Sequence, residues 1–295
     1  MSTTSVHPAA GRFAQWDVWR CLNCQSPLVP KGDQSALACD RCGGTVPIED
    51  DILILMDQTA SNNQIAQSFY DSPLWPKFRF WEYVTWFCNG GEKRARSKVL
   101  RHLPTAPGLE LLDVAIGDGA YLEWLPADWK IAGVDISRSQ LEQCRRRAAG
   151  RDVWLGQCEA EHLPFDDQRF DAVLSIGAFN YFSDPEGALR EMARVAKKGV
   201  MISDSNNIGQ GKAYARLLKY LIKTLGLWRA LVFVQTGGRM YKFSEGDGVY
   251  YSYTAFDAVK TLQRKFPTIH YLNTQPCAGS NLYRGAGHVM LLARG

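Results

Sequence analysis

The chain has no uninterrupted apolar run near the ~20 residues that a membrane-spanning helix needs. Its first sixteen residues place no apolar stretch behind a basic one. The expectation is therefore no secretory leader, a flexible tail over 1–16, and a protein of the reducing cytoplasm. Charge of one sign is also scarce. Against 30 acidic residues stand 34 Lys and Arg, a net charge of +4, which neither demands a nucleic-acid partner nor excludes one. There is no low-complexity tract and no repeat at a fixed period, so solenoids and a chain that is mainly disordered drop out. What remains is a globular chain of 295 residues, long enough for one large domain and a small one.

Cysteine, by contrast, is concentrated. Four of the eight cysteines form two C-x-x-C pairs, Cys21/Cys24 and Cys39/Cys42, fourteen residues apart. Two such knuckles close a tetrahedron around Zn²⁺ and leave no open position for water, so the expected metal role is structural. Gly43-Gly44 lets the backbone turn tightly after the second knuckle. A segment of about forty residues rarely folds without a metal or disulfides, which supplies the physical need. The stretch Trp19–Cys24, Cys39–Gly43 and Val46–Leu55 resembles the small zinc ribbons related to the activator subunit of tRNA and translation-factor methyltransferases. Domain limits follow: a ribbon over 17–57, an aromatic-rich linker or lid over 58–105, and a large domain over 106–295.

From Leu109 onward, short apolar runs alternate with helix-like segments, as in a βαβ sheet. Strands are expected at Leu109–Val114, Lys130–Val134, Val153–Leu155, Phe170–Ile176 and Val200–Ser203. A terminal pair is expected at Thr268–Asn273 and His288–Ala293. Ser137 and Asp184 are positioned to cap helices over Arg138–Ala149 and Pro185–Lys197. The first strand leads into Asp113-Val114-Ala115-Ile116-Gly117-Asp118-Gly119. Gly117 and Gly119 allow positive φ and close approach of a ligand to the backbone. Asp113 can accept from a ligand's amino group. Asp135, about twenty residues past the turn, is placed to grip ribose hydroxyls. A dinucleotide fingerprint does not fit, because residue 122 is Leu where the third Gly should be. A carboxylate at Asp113 repels phosphate and suits a cationic ligand.

These motifs, with Cys158–Phe165, Phe170–Ser175 and Arg194–Val200, resemble those of class I S-adenosylmethionine-dependent methyltransferases over residues 109–204. Ala115 departs from the family's loop, which has Gly there. The resemblance implies an α/β Rossmann-like sheet of seven strands in the order 3-2-1-4-5-7-6, strand seven antiparallel. It implies cofactor contacts from Asp113, Ala115, Gly117, Gly119, Asp135, Ile136, Glu159, Ala160 and Ser175. Glu159 would face the adenine amino group, and Ala160 would offer its amide to the ring.

The acceptor side is expected to be the insertion 205–255 together with the aromatic zone 65–87, where Gln67–Asp71 stands at the place of a capping tyrosine. Asn180 and Tyr181 are candidates to line the acceptor pocket, and no general base is assigned. The leading reading is methyl transfer to a small, largely apolar molecule at O or C. An RNA base methyltransferase that uses the ribbon for recognition is the alternative, and a non-catalytic binding scaffold a third. The helix expected around Arg216–Leu225 is basic and amphipathic, which suits either a membrane surface or a covered core. The basic run Arg145-Arg146-Arg147 is expected to be a solvated helix face.

Overall fold

A computed structural model describes residues 9–31, 35–56, 63–72, 75, 100–178, 182–205, 255–273 and 288–295. Asn180, Tyr181, most of the aromatic zone and nearly all of the insertion 205–255 lie outside the described residues.

Seven strands of the large domain form in the expected places. They are β5 (Glu110–Val114), β6 (Lys130–Asp135), β7 (Val153–Gln157), β8 (Ala172–Ile176), β9 (Gly199–Ser205), β10 (Thr268–Asn273) and β11 (His288–Arg294). Their order is β7-β6-β5-β8-β9-β11-β10. In chain order within the domain that is 3-2-1-4-5-7-6, with β11 antiparallel to both neighbours. The short apolar runs of β5 to β9 mark strands buried on both faces. Alternation along them sorts two cores. Leu112, Val114, Ala132, Val134, Trp154, Val173 and Val200 pack on one face. Leu111, Ile131, Val153, Leu155, Leu174 and Met201 pack on the other.

Helices α1 (Ala9–Ala14), α2 (Gln64–Tyr70), α3 (Arg138–Arg147), α4 (Pro185–Val195) and α5 (Ala255–Leu262) complete the described elements, with one 3-10 turn at Leu122–Trp124. Ser137 caps α3 by accepting from the Gln140 amide, and Asp184 caps α4 by accepting from the Gly187 amide. Both helices end two residues before the expected limit. Pro126 keeps the segment after the glycine turn short, as its missing N–H requires.

The cysteine segment does not stand apart from this sheet. Strands β1 (Val29–Pro30), β2 (Ala36–Ala38), β3 (Thr45–Glu49) and β4 (Ile52–Ile54) continue it to eleven strands. β4 pairs in parallel with β7, Ile52 opposite Leu155 and Ile54 opposite Gln157. The turn between β3 and β4 puts Asp50 and Asp51 at φ 50° and 60°, the left-handed region a tight hairpin needs and Asp tolerates. Trp19 is almost wholly buried against Gly156, where an added Cβ would lie 2.7 Å from the indole ring. Phe165 closes the other side of that ring at 5.0 Å between centroids.

Two expectations need correction here. The segment 1–16 is not a tail throughout. Its second half is helical over Ala9–Ala14, and Phe13 and Trp16 are buried, Trp16 against Trp154 at 4.7 Å. The run Arg145-Arg146-Arg147 is not simply a solvated face. Arg145 reaches Asp51 of the β3–β4 turn at 2.5 Å, and Arg147 reaches Asp118 of the glycine turn at 3.0 Å. Ion pairing across segments, which helix periodicity does not report, ties two of the three arginines to other parts of the fold.

Candidate functional site

The four cysteines converge. Their sulfurs all lie within 4.8 Å of one another, with Cys21–Cys42 at 3.5 Å and Cys24–Cys39 at 3.4 Å. A tetrahedron with Zn–S bonds of about 2.3 Å separates its sulfurs by about 3.8 Å, so the donor set fits zinc. Each knuckle is closed by its own backbone. Cys21 donates to Ser26 O and accepts from Gln25 N; Cys39 donates to Gly44 O and accepts from Gly43 N. Gly43 sits at φ 74°, and a Cβ on Gly44 would lie 3.4 Å from the Cys42 sulfur. Gly43 is thus needed for its backbone conformation, while a Cβ on Gly44 would meet the Cys42 sulfur at contact distance. Hydrogen bonds from Ser26 draw the Cys24 thiol down to about 6, as befits a thiolate ligand.

The second site forms at the carboxyl ends of β5, β6, β7 and β8. Strand register brings it together: Asp113 lies opposite Gly133 and Leu174, and Asp135 opposite Gln157. Cys158 donates its amide to Asp135 O, which sets Glu159 one residue beyond. The carboxylate of Asp135 accepts from the Gly117 amide and the Ser137 amide, both at 2.9 Å. Burial pushes Asp135 up to about 6 in spite of those two bonds. Asp113 is raised well above its usual range by burial and then by Asp135. Two buried carboxyl groups side by side disfavour each other's charge until a cation or a hydroxyl-rich ligand meets them.

The glycine turn divides its labour. Gly117, at φ 57°, has only the Gln140 Oε1 near its missing Cβ, at 3.8 Å, and so leaves room above the loop. Gly119, at φ 71°, has no room at all: a Cβ there would lie 2.7 Å from the Cys144 sulfur and 2.8 Å from Leu122. Gly119 therefore packs closely against Cys144 and Leu122, where no side chain fits. Ala115 also takes positive φ, 60°, a conformation that favours glycine. Two buried polar atoms at the site find no partner, Ser175 Oγ and Gln140 Nε2. Buried donors are nearly always paired, so orphans here fit a pocket that receives a polar ligand.

Helix α2 lies across this opening, and its polar residues had no place among the expected contacts. Asn63 donates to Glu159 Oε1 at 3.2 Å, Gln67 donates to Ile136 O at 3.0 Å, and Asp71 accepts from Ser137 Oγ at 2.5 Å. Phe69, Tyr70 and Trp75 form an edge-to-face cluster, with centroids 4.7 to 5.8 Å apart. The Gln67–Asp71 run was the only signal pointing here. Glu161, raised by burial, accepts from Ser183 Oγ and the Asp184 amide, and so ties the loop after β7 to the start of α4.

Fold and site together define a doubly wound α/β protein with a cleft, flanked by buried acids, at the switch point of its sheet. Residues 112–203 match the family model of the methyltransferase domain. A demethylmenaquinone methyltransferase of Renibacterium salmoninarum is 33% identical over 140 residues, 46% of this chain and 58% of the relative. Methyltransferase GfsG of Streptomyces halstedii is 29% identical over 125 residues, 40% of this chain and 45% of the relative. The chain thus spans about half the length of the curated relatives it matches. Phosphoethanolamine N-methyltransferase 2 of Haemonchus contortus, solved with S-adenosyl-L-methionine, superposes with a TM-score of 0.55 at 16% identity. That match covers 80% of this chain and 60% of that one, and it is a likeness of fold. Residues 112–203 thus resemble a methyltransferase domain in sequence, within a sheet of the same fold.

Among the described residues, no helix is long and apolar enough to cross a membrane.

Proposed function

We propose that the chain transfers a methyl group from S-adenosylmethionine to a small, largely apolar acceptor, at oxygen or carbon. The observation that carries the cofactor reading is the buried pair Asp113 and Asp135 at adjoining strand ends. A ligand with an ammonium group and two vicinal hydroxyls, and no phosphate, satisfies both. Bound there, the cofactor supplies an electrophilic methyl group on a sulfonium. Asp113 holds its amino end. Asp135, fixed by the Gly117 and Ser137 amides, still has lone pairs free for the ribose. Glu159, steadied by Asn63, faces the adenine amino group, with the Ala160 amide beside the ring. Charge is lost as a methyl leaves a sulfonium, so positioning and exclusion of water serve the reaction without an assigned base. Zinc at Cys21, Cys24, Cys39 and Cys42 is structural.

The aromatic cluster Phe69, Tyr70 and Trp75 beside the Ile136–Ser139 turn favours an apolar acceptor. The demethylmenaquinone relative is consistent with that class. A labelled-cofactor incubation with cell extract tests the proposal: label is expected in an organic-solvent extract and to survive ribonuclease. Label that stays with RNA, with acceptor binding that weakens steeply as salt rises, would replace this acceptor by a nucleic acid.

A further inference from the structure

The loop 158–167 is gripped from two sides by two arginines. From α4, Arg194 donates to Leu163 O at 3.0 Å and Phe165 O at 2.7 Å, pairs with Asp167 at 2.9 Å, and is itself held by Glu191. Glu191 also accepts the Leu163 amide. From the ribbon, the Arg20 amide donates to Pro164 O at 2.8 Å, and its guanidinium meets Asp166 Oδ2 at 2.8 and 2.6 Å. The Arg20 side chain is nearly buried, with its third nitrogen on Asp17 and Trp19 O. Arg194 belongs to the large domain and keeps its place by that domain's own packing. Arg20 is held from both sides: Trp19 before it packs on Gly156 and Phe165, and Cys21 after it belongs to the first knuckle, which the Arg20–Pro27 bridge and the Cys21–Ser26 bond close.

We propose that Arg20 is a positioning residue through which the four-cysteine cluster sets the cofactor affinity of the methyltransferase domain. The inference rests on the reading that Glu159 and Ala160 line the adenine. The Glu159 carbonyl accepts from the His162 amide, so the adenine-facing residues and the segment Arg20 holds are one compact turn. A knuckle that has lost its metal releases Arg20, and the turn keeps only the Arg194 side of its grip. Linkage makes the effect reciprocal: a cofactor that orders the turn must also retain the metal.

The test uses the full-length zinc-loaded protein and S-adenosylhomocysteine, a probe that cannot turn over. Calorimetry reads its affinity, and a chromophoric chelator times zinc release. Losing a charge-assisted pair should weaken the probe about tenfold in Arg20→Met, with one zinc retained per chain, and less in Arg20→Lys. Saturating probe should slow zinc release severalfold in the wild type and not in Arg20→Met, an effect that a merely structural arginine would not produce. If Arg20→Met fails to fold, Asp166→Ala removes the Arg20–Asp166 contact from the exposed side. Wild-type and variant binding the probe equally, or zinc leaving at one rate with and without it, overturns the proposal and leaves the cofactor reading standing. A wild-type protein that does not bind the probe at all overturns both.

Discussion

The Gly117 amide donates to the Asp135 carboxylate at 2.9 Å, joining the glycine turn after β5 to the acid that ends β6. The turn and the acid are therefore one unit, and the carboxylate is held in place by the protein's own backbone. Gln157 Nε2 extends the unit to β7 by donating to Ile136 O at 2.9 Å.

Removing that acid should be felt first in cofactor binding. Asp135→Ala deletes contacts worth about 1.5–3 kcal/mol each when charge-assisted. Calorimetry with S-adenosylmethionine should show affinity at least tenfold weaker, and unchanged affinity would remove Asp135 from the ribose.

The same residue predicts a pH effect on stability. Its folded pKa, about 6, lies above the reference 3.8, so the folded state binds the extra proton. Asp135 then contributes stability that is fully present below pH 4 and is lost as pH rises through about 6. The span is 6 − 3.8, about 2 units, or about 3 kcal/mol at 1.36 kcal/mol per unit. Ligand-free Asp135→Asn should thus gain on the wild type between pH 4 and 7.5 in denaturant titrations. A difference between the two proteins that stays constant with pH would contradict the buried, raised carboxyl.

Ala115 and Gly119 should answer oppositely to substitution. Ala115 holds φ 60°, so Ala115→Gly relieves strain and should raise stability by about 1 kcal/mol. Gly119→Ala adds a Cβ 2.7 Å from the Cys144 sulfur at φ 71°, and should cost about 2–4 kcal/mol from overpacking and strain together. Thermal melts of the two variants give the comparison, and equal shifts in both would count against this loop geometry.

For the metal, freshly reduced protein should hold one zinc per chain by elemental analysis. Cys39→Ser should lose it while the large domain stays folded. Because β4 pairs with β7, amide exchange should speed up at Leu155 and Gln157 as well as in the ribbon. Exchange that changes only inside 17–57 would show that the shared strand does not couple the two domains.

Much of this was legible in the sequence because it is encoded locally. The spacing of Cys21, Cys24, Cys39 and Cys42, the apolar runs of β5 to β9, and the caps Ser137 and Asp184 each express their chemistry within a turn or a strand. Asp113, Gly117 and Asp135 were legible for the same reason, as acids and glycines at strand ends. Gly119 was legible as a glycine but not for its task, since the crowding by Cys144 comes from a helix it meets only in the folded state. The second half of 1–16 misled because Phe13 and Trp16 make too short an apolar pattern to announce a docked helix.

By itself, then, the sequence determined the four-cysteine pattern, the strands of the large sheet, and the acids that flank the glycine turn; the order of those strands came only from the family resemblance. The tertiary structure alone decided which distant residues meet. Arg20 and Asp166 stand 146 positions apart, and Arg145 and Asp51 stand 94 apart. Asn63 finds Glu159 across 96. Residue type offers each such charge or amide many possible partners. The parallel pairing of β4 with β7 selects among them, because strand register and the burial of Trp19 on Gly156 fix the ribbon's position on the sheet edge.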